Sequence, residues 1–173
     1  SIACVDEHRP MIGVVYMPMT DALYTACCGA GAQRNGQRIA ASACGEPSRA
    51  YVELGYSPRS TITDHSHVQS SLLRAGMLVR WSGSAVISLV QVAEGSSDAY
   101  FDLHLNPWDV AAGLVIVQEA GGTCSDMFGQ PYHFNKPHPK VRGVLAGAPA
   151  ATAALLEQLK VLGESTRMKE EGL

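Results

Sequence analysis

Asn106-Pro107-Trp108-Asp109-Val110-Ala111-Ala112-Gly113-Leu114-Val115-Ile116-Val117-Gln118-Glu119-Ala120-Gly121-Gly122 decides how this chain is built. Asn106 is an N-cap type, Pro107 suits the first helical position, and the two glycines stand where a helix closes through a left-handed residue. The stretch reads as one helix. Its body is apolar on nearly every side, which predicts burial between other layers rather than a place on the surface. Asp109 is the exception. In the first turn, unpaired N–H groups and the positive end of the helix dipole favour an ionised carboxylate, so Asp109 is either a cap or a ligand.

Before this helix, Asp98 to Leu103 alternates, with Ala99, Phe101 and Leu103 on one face and Asp98, Tyr100 and Asp102 on the other, as expected of a half-buried strand. That pattern leaves Asp102 as either a solvated strand acid or a site residue, carried toward the same end of the sheet as Asp109. Further upstream, Leu78 to Trp81 reads as a strand. Ser82-Gly83-Ser84 opens a helix that runs to about Glu94 and closes at Gly95. Exposed N–H groups at such a start suit an anion and a glycine lets it approach, although a turn with a cap explains the same residues. After the central helix come a brief strand at Thr123 to Ser125, a polar loop from Asp126 to Lys140, and a last strand at Gly143 to Ala146. A final helix runs from Pro149 to Leu162 with Gly163 as its stop, followed by a charged tail, Glu164 to Leu173, that frays.

The first part of the chain reads as strands at Ile2 to Val5, Ile12 to Met17 and Leu23 to Cys28. Gly29-Ala30-Gly31 begins like a dinucleotide fingerprint but lacks its third glycine and its helix. Asn35-Gly36 is instead a hairpin signal. A loop from Ser42 to Ser48 leads to a strand at Tyr51 to Leu54, then to a helix from Thr63 to Ala75 that Gly76 ends. His65-x-His67, at a polar helix start without a neighbouring acid or cysteine, reads as exposed histidines rather than metal ligands. Strands alternating with helices predict a single layered α/β domain over residues 1–163, with a mixed sheet flanked by helices.

Composition fits an ordinary globular chain, 46% apolar and 17% charged with a net charge of −3. No run of basic residues tracks a phosphate backbone, so the expectation is no nucleic-acid partner. Five cysteines, an odd number that includes adjacent Cys27 and Cys28, make no disulfide framework and point to a reducing compartment. No apolar stretch approaches the ~20 residues of a bilayer span, and the start does not resemble a signal peptide. The chain lacks an initiator methionine, and a further N-terminal portion is expected upstream.

Taken together, Gly83-Ser84-Ala85, Asp98 to Asp102, Trp108-Asp109-x-Ala111-Ala112-Gly113 and Glu119-Ala120-Gly121-Gly122 resemble the second signature of the inositol monophosphatase family. The likeness runs from about Ile2 to about Leu156, and Gly29 to Gly36 match the family's Gly-x-Gly-Ala-x-x-Asn-Gly hairpin. The resemblance implies a layered α-β-α-β-α sandwich of the sugar-phosphatase type. It also implies Mg²⁺-dependent, lithium-sensitive hydrolysis of a small phosphate monoester in the cytoplasm by a homodimer. Inositol monophosphate is the foremost substrate; histidinol phosphate, fructose 1,6-bisphosphate and 3′-phosphoadenosine nucleotides are served by the same scaffold.

Carried over residue by residue, the resemblance makes Asp109 a metal ligand and substrate neighbour. It sets Gly83, Ser84 and Ala85 against substrate, with Ser84 where the family has threonine. Asp102 stands where the family frequently has a glutamate that accepts a substrate hydroxyl, and is one methylene shorter. Tyr56 or Ser57 takes a substrate-side position, and the residues leave that choice open. The family's Glu-Glu and Asp-Pro-x-Asp-Gly-Thr metal motifs, with the water-activating threonine, are absent from these residues. No catalytic residue is therefore expected in this chain, and the fragment alone is expected to be inactive. A non-catalytic binding or regulatory relic is the other reading.

Overall fold

The computed structural model describes residues 1–134 and 143–170. Positions 135–140 of the expected loop and 171–173 of the expected tail lie outside the described residues.

Among the described residues, ten strands divide between two sheets. The first is an antiparallel meander of β1 (Ile2–Asp6), β2 (Arg9–Met17), β3 (Ala22–Cys27), β4 (Gly31–Arg34) and β5 (Gln37–Arg38), in that order. Asn35 and Gly36 join β4 to β5 with φ of 49° and 78°, both positive as the tight hairpin signal requires. The second sheet contains β6 (Tyr51–Leu54), β7 (Leu78–Arg80), β8 (Ala99–Asp102), β9 (Thr123–Ser125) and β10 (Val144–Gly147) in the order β7-β6-β8-β10-β9. This is the mixed sheet: β6 pairs parallel with β7 and β8, and β10 pairs antiparallel with β8 and β9.

Four α-helices among the described residues complete the layers: α1 (Ile62–Arg74), α2 (Ala85–Ala93), α3 (Pro107–Glu119) and α4 (Pro149–Glu170). Helix α3 is the decisive stretch, and its burial follows its composition, with Val110 through Val117 all enclosed. It closes as its glycines predict. Gly121 adopts φ 89°, its N–H donates to the Gln118 carbonyl, and the Gly122 N–H donates to the Val117 carbonyl, the paired bonds of a Schellman cap.

Two hydrophobic cores show the order of layers. In one, Leu89 and Val92 of α2 and Leu114 and Ile116 of α3 meet Val15, Tyr24 and Ala26 of the first sheet and Tyr100 and Val144 of the second. In the other, Val52, Phe101 and Leu145 on the second sheet's far face meet Leu72 of α1 and Leu155 of α4. The sequence is thus β, α2/α3, β, α1/α4. Glycines set the closeness: a Cβ on Gly113 would lie 2.5 Å from Leu89 Cδ1, and one on Gly13 would lie 2.4 Å from the Ala112 carbonyl oxygen.

Two expectations change. Helix α4 continues past Gly163, the expected stop, to Glu170. Glycine inside a helix costs only about 1 kcal/mol, and the Glu-, Arg-, Met- and Lys-rich sequence beyond it favours helix. Strand β8 is not half-buried. It runs between β6 and β10 with helices on both faces, so the alternation is real but each face meets a core.

Candidate functional site

Helix α2 begins without a side-chain cap. Ser84 occupies the N-cap with φ −145° and ψ 120°, but its side chain makes no cap hydrogen bond. Gly83 before it adopts φ 76° with nothing near its missing Cβ, so the backbone turns in and leaves open space. Ser82 Oγ donates to the Ser84 carbonyl, pairs with Ser88 Oγ at 2.6 Å and accepts from the Ser84 N–H at 3.5 Å, while the Ser84 side chain leaves the first turn of α2 uncapped.

Helix α3 starts differently. Asp109 Oδ2 accepts from the Asn106 backbone N–H at 3.0 Å and from Asn106 Nδ2 at 3.1 Å, so the acid caps its own helix. Asp109 is half-exposed, and none of the described residues donates to its Oδ1. Arg59 braces the approach to this turn: Nη2 donates to the His104 carbonyl, Nη1 to Asn106 Oδ1, and Nε to Ser57 Oγ.

Asp102 ends β8 with 4% of its surface exposed, so it is not a solvated strand acid. Its Oδ1 accepts from the His104 N–H at 3.0 Å and its Oδ2 from the Tyr100 hydroxyl at 3.2 Å. Burial raises its carboxyl above the ordinary value, although these two donors pull the other way. Burial and the neighbouring Asp102 carboxylate push the Tyr100 phenol well above its usual value, so it remains a donor. Gly55 packs directly against Asp102; a Cβ there would fall 2.0 Å from Oδ2.

One cavity of about 540 Å³ gathers these features. Gly83, Ser84, Ala85, Asp102 and Asp109, each singled out from the sequence, all line it. Of the two candidates after β6, Tyr56 lines the cavity, whereas buried Ser57 accepts from the Arg59 N–H and Nε. His65 stacks edge-on to Tyr56 with centroids 5.1 Å apart, and His67 is exposed on α1. Sequence reasoning did not single out Gly55, Tyr100 or Arg59. Only Gly55, ahead of a polar loop and just after a strand, carried any local signal.

Among the described residues no group of three or more His, Cys, Asp or Glu side chains stands close enough to hold a metal ion. Mg²⁺ takes one or two carboxylates, prefers hard oxygen and keeps several waters. Asp109 therefore fits one corner of such a site and does not make the whole of it. Nor is any helix among the described residues long and apolar enough to cross a membrane.

Two sheets enclosing a pair of helices, with a further helix pair outside, are the architecture of the sugar-phosphatase class. The chain belongs to the inositol monophosphatase family, whose model matches residues 1–164. It is 37% identical over 131 residues to "Nus factor SuhB" of Xylella fastidiosa, covering 75% of this chain and 48% of that protein. The solved inositol monophosphatase from Anabaena (Nostoc) sp. superposes with a TM-score of 0.77 at 31% identity, over 87% of this chain and 60% of that one. SaIMPase-II, solved with inositol monophosphate bound, gives 0.80 at 26% identity, over 96% and 63%. The chain thus spans less than two thirds of the length of each relative. The name Nus factor gives no support to the expectation that nucleic acid plays no part.

Proposed function

We propose that the whole protein hydrolyses a small phosphate monoester with Mg²⁺, inositol monophosphate to inositol and phosphate being the first reaction to test. The observation that carries this reading is the meeting of the uncapped α2 start and the Asp109 carboxylate in one cavity. Bound Mg²⁺ supplies a water made nucleophilic at neutral pH and stabilises the leaving alkoxide. Asp109 would hold that ion through Oδ1 while Oδ2 keeps the helix start closed. Gly83, Ser84 and Ala85 would receive the phosphate or the alcohol against backbone N–H groups. Asp102 would accept a hydroxyl of the alcohol, its direction set by Tyr100 and His104.

This chain's residues bind and orient; the groups that activate water belong to the rest of the protein. The reading includes lithium sensitivity, a homodimer and a cytoplasmic location. In the intact protein, Asp109→Asn should abolish turnover of inositol 1-phosphate and weaken Mg²⁺ binding in calorimetry, while these 173 residues alone show no turnover. Robust activity of Asp109→Asn would end the proposal. A second reading, a binding or regulatory role without catalysis, is favoured by relatives that carry the name Nus factor SuhB. Calorimetry separates the two, because such a role predicts no Mg²⁺ binding that depends on Asp109.

A further inference from the structure

Beneath the start of α2 a chain of polar side chains ends on a buried carboxylate. Glu53 of β6 is fully enclosed, and Ser88 of α2 and Ser97 are 3% and 1% exposed. The two oxygens of Glu53 have separate partners. Oε1 accepts from Arg80 Nε and from Ser97 Oγ, and Arg80 Nη2 also donates to Ser97 and Gln91. Oε2 accepts from Ser88 Oγ at 3.3 Å. Ser88 Oγ lies 2.6 Å from Ser82 Oγ, which stands against both the carbonyl and the N–H of Ser84.

Counting protons gives this chain a direction. A serine hydroxyl has one proton to give, and an ionised carboxylate only accepts. Ser88 gives its proton to Glu53, so in the 2.6 Å contact Ser88 accepts and Ser82 donates. The charge on Glu53 thereby orients two hydroxyls in succession and fixes Ser82 under the Gly83–Ser84 turn. A buried polar chain with every member satisfied is rigid. The turn has little else to hold it: Gly83 sits at φ 76° with nothing within 4 Å of its missing Cβ, and the Ser84 side chain caps nothing. Gly83, Ser84 and Ser88 line the cavity, whereas Glu53 and Ser82 are not among the described residues that do. Glu53 therefore reaches a ligand only through others.

We propose that Glu53 is a positioning residue for the phosphate monoester, setting through Ser88 and Ser82 the Gly83–Ser84 backbone that receives it. The proposal rests on the phosphatase reading. Preorganised groups that meet substrate and transition state alike act on KM rather than kcat. In the intact protein with Mg²⁺ and inositol 1-phosphate, Ser88→Ala should raise KM roughly fivefold, as loss of one hydrogen bond implies, and leave kcat within about twofold. Glu53→Gln should do the same without altering the cavity lining. Arg80 requires an acceptor, so the glutamine oxygen turns to Arg80 and its nitrogen donates to Ser88, which reverses the hydroxyl chain. The double variant should show no higher KM than the worse single. Ser97→Ala removes a hydroxyl from the other oxygen of the same carboxylate and should keep the wild-type KM, whereas a merely structural role predicts the same KM for both serine variants. A wild-type KM in Ser88→Ala or Glu53→Gln, an equal rise in Ser97→Ala, or effects that multiply in the double variant would each overturn the proposal.

If the wild type hydrolyses no inositol 1-phosphate, the phosphatase reading is what fails, and the hydroxyl chain is judged on the protein itself. Exchange of the Ser84 amide proton should speed in Ser88→Ala and in Glu53→Gln and keep its wild-type rate in Ser97→Ala. An unchanged rate in Ser88→Ala, or an equal change in Ser97→Ala, rejects the chain without reference to catalysis.

Discussion

Replacing Gly55 with alanine tests the packing on which the candidate site depends. The new Cβ would arrive 2.0 Å from Asp102 Oδ2, 2.4 Å from its Cγ and 2.6 Å from its Cβ, so the whole carboxylate must move. It has nowhere convenient to go, because Tyr100 and His104 hold its two oxygens, and Asp102 is buried. Gly55 is equally fixed, since its N–H donates to the Phe101 carbonyl at 2.7 Å. Overpacking costs about 1–3 kcal/mol, and losing a hydrogen bond to a charged group costs about 1.5–3 kcal/mol more. The reduced freedom of the unfolded chain returns about 0.4–1 kcal/mol. The expected net loss is therefore about 3 kcal/mol. At a urea dependence of about 2 kcal/mol per molar, the midpoint of equilibrium unfolding should fall by about 1.5 M. Gly45→Ala, with nothing within 4 Å of the added carbon, is the control and should barely move it. Asp102→Gly, which removes all three contacting atoms, should relieve much of the Gly55→Ala loss in the double variant. A Gly55→Ala midpoint close to wild type, or strict additivity with Asp102→Gly, would refute the close approach of this glycine to the carboxylate.

Three further outcomes follow from the same structure. Glu53 is fully buried on β6 and accepts from Arg80, Ser88 and Ser97, so Arg80→Met strands a buried charge and should cost about 3 kcal/mol in urea unfolding, with Glu53→Gln in the same chain recovering a large part. Burial holds the Asp102 carboxyl above its ordinary value of 3.8, so the folded protein binds that proton more tightly than the unfolded chain, and the stability involved is greatest below 3.8 and is lost as pH rises through the raised value. Asp102→Asn should accordingly gain on wild type in Tm at neutral pH and lose that advantage toward about pH 3; a flat difference across that range would contradict it. Glu119 accepts from the Gly29 and Gly31 N–H groups at 2.9 and 2.8 Å, so Glu119→Gln should cost about 1–2 kcal/mol and speed amide exchange at one of those two glycines.

Features encoded within one element were legible in the sequence. The cap and stop of α3, the hairpin at Asn35-Gly36 and the positive-φ glycines after α1 and α2 are local chemistry, and local chemistry is read from neighbours. The gathering of Gly83, Ser84, Ala85, Asp102 and Asp109 followed from the family pattern those residues carry. What stayed hidden depends on pairing between distant segments. Glu53 looks like the polar member of a half-exposed strand until β6 and β7 are aligned, when Arg80 falls opposite it and the buried charge is matched. Asp102 reads the same way, because nothing in its own strand tells that β8 lies centrally with helices over both faces. The division of ten strands between two sheets is likewise a matter of register, which alternation within each strand leaves open.

Asp109 shows why spacing could not choose between a cap and a ligand. A carboxylate has two oxygens, and at this helix start they are separated by role: Oδ2 takes both hydrogen bonds from Asn106, and Oδ1 receives none from the described residues. Capping also orients the acid, because two donors on one oxygen fix the plane of the carboxylate and hold its other oxygen in a set direction at the cavity. A longer or freer acid would have to be ordered by the ligand itself, at the expense of affinity. Arg59 extends the same logic outward, tying the His104–Asn106 turn to the chain after β6 so that the residue that orients Asp109 is itself held. Any group seated at this cavity therefore meets a carboxylate whose orientation was settled when α3 formed.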